Sequence, residues 1–424
     1  MDAVFSLILL LLFAWGLCAQ KVARVELTAP VVFVAAGFLL HHGFGTEELV
    51  PSPATVRTLV ETTLTWVLFT DAARLSLRSL RPDLGLYARL LLIGLPLCIG
   101  LGTLVALGLV PGVSGWAALY LGTALAPTDA ALGASMMNNP VVPARIRRTI
   151  NVESGLNDGI ATPVVVLSLA GLAAAGGGAG HEGAGGALVE LLIGLVYGAA
   201  IGLVSGLLVR SALRRSWTVE SSAGAAVLAL ALLCYTSAIA LGGNGFVAAF
   251  VAGLAFGTAY GEGAPEWQLA FVEQSASVLS LLVWLMFGAV MLPAALEHLT
   301  WQAVCYAVLS LTVIRMVPVA LALLGSGLDR RTVLFVGWFG PRGLASVIFG
   351  LLAVEGLAPA AARVVVPVVV CTVLLSVVAH GLTSGPLARW YGSAVRQDAG
   401  AGRRSPADEL PVRGLAGRAP RPGA

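Results

Sequence analysis

Charge is what this chain has least of. Of 424 residues, 11% are charged and 58% apolar, with a mean hydropathy of +0.91. A soluble domain carries about 25% charged residues, so the surface chemistry of a water-soluble protein is missing. Lysine is all but absent, Lys21 being the sole one among 25 basic residues. Cysteine is sparse and unpaired in sequence. Cys18, Cys98, Cys234, Cys305 and Cys371 stand singly in apolar runs with no C-x-x-C spacing, which leaves core packing as their role and sets aside disulfide and metal chemistry. The five histidines include no H-E-x-x-H, which argues against an intramembrane zinc protease. There is no G-x-G-D segment of the kind membrane aspartyl proteases use, and Ala134-Ser135 with His380 do not make a serine-protease pattern. The chain is therefore read as no enzyme, with no cofactor and no nucleic-acid partner.

Long apolar runs are what the chain has instead. Many extend for about 18 to 24 residues, enough to cross a hydrocarbon core of about 30 Å as helix. They are continuously apolar, whereas a β-barrel would alternate over strands of about ten residues. Hydropathy and helix breakers predict an all-α polytopic membrane protein of about 13 segments, near 3–20, 27–43, 55–73, 86–110, 115–137, 150–174, 187–210, 219–241, 245–260, 270–293, 300–324, 332–354 and 362–388. Lys21 and Arg24 follow the first segment rather than precede it, which fits a retained helix better than a cleaved signal peptide. An odd number of segments puts the termini on opposite sides. With the C-terminus inside, 21 basic residues fall in inside loops and the tail, against Arg57 and Arg363 outside. The positive-inside rule then gives an external N-terminus and a cytoplasmic C-terminus. Residues 1–390 read as one transmembrane domain, 175–186 as a flexible external linker, and 391–424 as a disordered basic cytoplasmic tail.

Two basic residues, Arg315 and Arg342, remain inside apolar segments, together with Asp71, Asp129, Glu153 and Asp158. Each would cost about 2.5–3.5 kcal/mol near the centre of a lipid-facing helix, so the six must face the interior. Structural ion pairing alone is the plainer reading. Four acids against two bases leave acids without a basic partner, which favours a site for protons or cations.

Segment six reads Asn151-Val152-Glu153-Ser154-Gly155-Leu156-Asn157-Asp158-Gly159. Spacing of i, i+4 puts Glu153 and Asn157 on one line, and Ser154 and Asp158 on another about 100° away. Ser154 and Asp158 supply only oxygens, as a hard monovalent cation requires, while Glu153 and Asn157 suit an Arg on another helix. Gly155 and Gly159 allow close approach of neighbouring backbone. Segment five carries Ala126-Pro127-Thr128-Asp129 in mid-run, where Pro127 must break the helix and free carbonyls beside Thr128 and Asp129. Segment twelve repeats the feature with Gly340-Pro341-Arg342-Gly343. The two breaks, at Pro127 and Pro341, occupy matching places in two six-helix halves (about 1–174 and 219–388, linked by 187–210) of inverted topology. Paired interrupted helices of this kind point to a transporter's midplane binding site. Segment seven places Gly194, Gly198, Gly202 and Gly206 on one face, for contact either within the chain or between two copies.

At these residues the chain resembles bacterial cation:proton antiporters of the sodium–proton exchanger type, over roughly residues 1–390. The resemblance rests on Thr128-Asp129, on the run Glu153 to Gly159, and on Gly340-Pro341-Arg342-Gly343. Asn157-Asp158 looks like the family's Asn-Asp pair, which implies electroneutral exchange. It implies Asp158 as the carboxylate that binds cation and proton, with Thr128 and Ser154 as further ligands of the transported Na+, and Asp129 and Asp71 as more loosely assigned ion- or proton-binding acids. Glu153 and Asn157 are implied to tie the core together through an Arg, either Arg315 or Arg342. The family fold implies crossed broken helices in a mobile core, a dimerisation bundle and hence a homodimer, embedded in the lipid of a bacterial cell membrane. Na+ is the first candidate substrate alongside H+, with K+ or Li+ as alternatives and a cation channel as the rival reading.

Overall fold

Continuous apolar sequence whose backbone cannot borrow hydrogen bonds from water has one local solution, the helix. The computed structural model describes residues 2–23, 28–44, 52–75, 80–137, 139–175, 184–260 and 263–399, which form helices and no strand. In chain order these are α1 (Asp2–Ala23), α2 (Ala29–Phe44), α3 (Pro53–Ala73), α4 (Leu84–Leu109), a broken α5 (α5a Gly115–Ala124; then 130–137), α6 (Ala144–Ala175) and α7 (Ala184–Arg214). There follow α8 (Glu220–Ala240), α9 (Gly245–Tyr260), α10 (Glu266–Glu297), α11 (Trp301–Ala322), a broken α12 (α12a Arg330–Trp338; α12b Leu344–Gly356) and α13 (Pro359–Ala399). Each predicted apolar segment coincides with one of these helices or helix pairs. Among the described residues, α1, α4, α6, α7, α8, α10, α11 and α13 are long and apolar enough to cross a membrane by themselves. The 21-residue α3 is not among them; it carries Arg57, Glu61 and Asp71.

Local sequence sets several helix starts. Ser52, Ser114 and Thr300 accept hydrogen bonds from the backbone N–H three residues on, and Asp329 accepts from Arg331 N, each satisfying a donor that the first turn leaves free. At the other end, α13 continues to Ala399, past residue 390 where the sequence reading placed a disordered tail. The cause is packing: Tyr391 is buried and stacks on Phe335, with ring centroids 4.1 Å apart. Residues 400–424, residues 176–183 of the predicted linker, and Arg24 and Arg78 lie outside the described residues.

The helices pack as two sets. In one, α9 runs between α7, α3 and α8, with α10 against α2, α3 and α8. In the other, α5a lies against α4 and α6, and α11 against α4, α12a and α13. The sets meet where α6 touches α3 and α9, and where α12b touches α3 and α10. The α7 glycines belong to the first set's own interior. A Cβ at Gly198 or Gly202 would overlap the carbonyl oxygens of Ala248 and Ala252 on α9, so the stripe lets two helices of the same chain touch, the first of the two contacts its spacing allowed.

Candidate functional site

The site begins with the two breaks. Pro127 has no N–H and excludes a continuous helical turn before it; α5a ends at Ala124 and helical structure resumes at Ala130. In α12, residues 339–343 are unwound between Trp338 and Leu344. Freed backbone groups must find partners, and each break supplies them to the other. Asp129 N donates to Pro341 O at 2.8 Å. The Asp129 carboxylate accepts from Leu344 N, the first residue of α12b, at 3.1 Å and from Ala131 N at 2.8 Å. It thereby caps a helix N-terminus, where negative charge is favoured. Gly343 makes room for this, because a Cβ there would overlap the Asp129 carboxylate.

Arg342 closes the opposite side. Its Nη1 donates to Ala126 O at 2.5 Å and Pro127 O at 3.2 Å, and Nη2 to Ser310 O at 3.4 Å. The guanidinium is fully buried, and among the described residues no carboxylate lies within ion-pair distance of it. A planar fork of donors suits a pair of adjacent carbonyls in a way a point charge cannot. Ser346 Oγ also crosses, donating to Ala124 O at 2.8 Å.

The other buried cation is paired. Arg315 Nη1 and Nη2 donate to Glu153 Oε1 and Oε2 at 2.5 and 2.8 Å, both residues being 2% exposed. Of the two arginines open to Glu153 from sequence, Arg315 is the one opposite it. Gly340 packs against this pair so closely that a Cβ would overlap Arg315 Nε. Asn157, one turn after Glu153, does not join it. Its Nδ2 donates to Thr128 Oγ1 at 2.7 Å, a correction to the expectation of an arginine partner. The break brings Thr128 inward to α6, where the amide reaches the nearer hydroxyl.

Thr128 Oγ1 lies 3.0 Å from Ser154 Oγ, so Thr128, Ser154 and Asn157 form one buried polar group around the first break. Asp158 follows Ser154 by one turn. Its Oδ1 is buried and accepts no hydrogen bond from the described residues, whereas buried polar atoms are in general partnered. Asp71 and Asp129 are its charged neighbours. Asp71 lies on α3 against α6, its Cβ 3.8 Å from the place a Cβ would take on Gly155. At Gly159 the neighbour is a side chain: the Phe250 ring of α9 fills the space a Cβ would need.

Ser310, Ser346, Ser376 and His380 also contact the breaks and were not picked out from the sequence as site residues. The signal for two of them was present. Thr372, Ser376, His380 and Ser384 recur every four residues in an apolar run, and all are at most 1% exposed.

A helical membrane protein whose two interrupted helices are stitched break to break beside a buried carboxylate has the architecture of a secondary transporter. The chain belongs to the sodium/hydrogen exchanger family: the family model described as "Sodium/hydrogen exchanger, transmembrane" matches residues 7–390. It is 30% identical over 265 residues to "Na(+)/H(+) antiporter 2" of Zygosaccharomyces rouxii, covering 56% of this chain and 31% of that protein. It is 25% identical over 296 residues to "K(+)/H(+) antiporter NhaP" of Alkalimonas amylolytica, covering 69% of this chain and 50% of that protein. The chain thus spans half or less of the length of these curated relatives. Among solved structures, the sodium proton antiporter MjNhaP1 from Methanocaldococcus jannaschii superposes with a TM-score of 0.75 at 17% identity, covering 92% of this chain and 99% of that one, a likeness of fold.

Proposed function

We propose that this chain is a secondary antiporter exchanging a monovalent cation, Na+ first, for H+ across the membrane by alternating access. The observation that carries the reading is Asp158, a buried carboxylate with an oxygen that no donor among the described residues reaches. A proton or a hard cation suits such an oxygen, and the hydroxyls of Ser154 and Thr128 supply the neutral oxygens that complete a cation's preferences. Because one carboxylate takes either occupant, the two compete, and competition couples the fluxes without a separate gate. Asp129 spends both oxygens on backbone N–H groups, and Asn157 stands where a second acid would titrate. This favours Asp158 as the single carrier and one-for-one, electroneutral exchange. Asp129 and Asp71 then shape the field at the carrier. Glu153, Arg315 and Arg342 hold the core, and Pro127 and Pro341 keep it open at the breaks.

The similarity to a protein named K(+)/H(+) antiporter favours K+ as the second reading for the cation. We place the chain in a bacterial cell membrane as a homodimer with the C-terminus cytoplasmic, on the charge asymmetry of the loops and the family resemblance. The test is proton flux in proteoliposomes on addition of Na+, Li+ or K+. Cation-driven proton movement that vanishes in Asp158→Asn supports the proposal; flux with no dependence on any of the three ions overturns it.

A further inference from the structure

The buried polar stripe of α13 divides by partner. The hydroxyls of Thr372 and Ser384 donate to carbonyls of their own helix, Val368 O and His380 O. Ser376 and His380 reach across to α12. Ser376 Oγ accepts from Arg342 N at 2.6 Å. His380 Nε2 lies 2.9 Å from Trp338 O, while Nδ1 lies 3.2 Å from Ser376 Oγ and 2.9 Å from Ser376 O. Each ring nitrogen thus faces a carbonyl, which only accepts, and a neutral ring has one hydrogen to give. Nδ1 alone also faces a hydroxyl that can donate to it, Ser376 Oγ, so the hydrogen belongs on Nε2, whose neighbour offers none. With Nδ1 unprotonated, the Ser376 hydroxyl donates to it while receiving Arg342 N–H. The series Arg342 N–H to Ser376 Oγ–H to His380 Nδ1, then Nε2–H to Trp338 O, runs in one direction and leaves the Ser376 carbonyl without a hydrogen from the ring. The charged groups facing the ring are Arg342 and Arg315, and an uncharged imidazole fits two guanidinium neighbours.

Trp338 is the last residue of α12a, and Arg342 stands just before α12b. One turn of α13 therefore grips both ends of the unwound residues. The Trp338 ring packs on the imidazole with centroids 5.2 Å apart and is fixed by its Nε1 bond to Thr383 Oγ1 at 3.0 Å.

We propose that His380 is a positioning residue for exchange: as the neutral Nε2–H tautomer it clasps, with Ser376, the two ends of the α12 break and so holds Arg342 on the carbonyls of Ala126 and Pro127. This rests on the antiporter reading above and deepens it. Through those carbonyls the clasp sets where Thr128 stands, so its loss weakens cation binding more than turnover.

Two measurements test it. Nitrogen NMR of histidine-labelled protein, with His380 assigned by difference from His380→Gln, reads the tautomer without any transport. An Nε2–H ring is expected; an Nδ1–H or doubly protonated ring overturns the clasp. In proteoliposomes, His380→Leu and Ser376→Ala should each raise the apparent KM for Na+ about tenfold, with the maximal rate within about twofold. The double variant should be no worse than the more affected single one, because one series is broken in both. An unmoved KM, or increases that multiply, overturns the proposal. Absence of exchange in the unaltered protein would instead refute the antiporter reading, and the NMR result would stand independently.

Discussion

Arg315→Ala removes the one side-chain partner that the Glu153 carboxylate has among the described residues. Glu153 is 2% exposed, and both of its oxygens are engaged by the same guanidinium at 2.5 and 2.8 Å. Two charge-assisted hydrogen bonds of about 1.5–3 kcal/mol each agree with the cost of breaking a buried pair from one side, about 3–5 kcal/mol. Most of that cost is the stranded charge rather than the attraction itself. Removing the second charge should therefore recover much of it. Glu153→Ala and Arg315→Ala should each lower stability in detergent by about 3–5 kcal/mol, and the double variant should fall short of the sum by about 2 kcal/mol or more. Replacing both with apolar residues of similar volume, Glu153→Leu with Arg315→Met, should be milder than either single truncation. Thermal and chemical unfolding of the variants, read by tryptophan fluorescence, completes the cycle. Strictly additive losses would refute the pairing as an energetic unit. Gly340→Ala probes the same pair from the backbone side, since the added Cβ must displace Arg315 Nε; it too should destabilise.

The remaining expectations follow from how each oxygen at the breaks is used. Asp129→Asn keeps one acceptor for the two backbone donors of Leu344 and Ala131, so it should cost about 1–3 kcal/mol in unfolding measurements while leaving detectable exchange. Loss of all exchange in a folded Asp129→Asn protein would make Asp129 a carrier. Thr128→Ala and Ser154→Ala, which each remove one hydroxyl of the 3.0 Å pair, should raise the Na+ concentration for half-maximal exchange and spare the maximal rate; the reverse split would remove both as ligands. With Asp158 as sole carrier, an imposed membrane potential should leave the exchange rate unchanged in vesicles. A rate that scales with potential would point to Asp71 as a second titrating group.

Much of this architecture is legible in the chain because membrane segments answer to few rules. Apolar length places the helices, and a proline beside a charge in mid-run marks each break. Glu153 and Arg315 were recognisable as interior charges because lipid tolerates neither. The sequence could not choose between Arg315 and Arg342, since that depends on which guanidinium meets a carbonyl pair and which a carboxylate. Asn157 misled for a related reason. Helical spacing aligned it with Glu153, but spacing on one helix says nothing of how far a broken neighbour reaches inward, and Thr128 reaches it first. The α7 glycines announced a close contact and not its partner. Ser376 and His380 passed as ordinary polar residues of an apolar helix, because their significance lies in the facing backbone of residues 338 and 342.

The central claim, that one buried carboxylate carries proton and cation in turn, is tested most directly by Asp158→Asn in proteoliposomes, with exchange followed against pH and Na+. In the unaltered protein, activity should peak between an acid limb, where the proton excludes the cation, and an alkaline limb, where reloading with a proton becomes rare. Tenfold more Na+ should move the acid limb about one pH unit lower, as simple competition for one site requires. Asp158→Asn should fold, since Oδ1 has no partner among the described residues to lose, and should exchange no ions at any pH. Measurable cation–proton exchange by the folded Asp158→Asn protein would contradict the account.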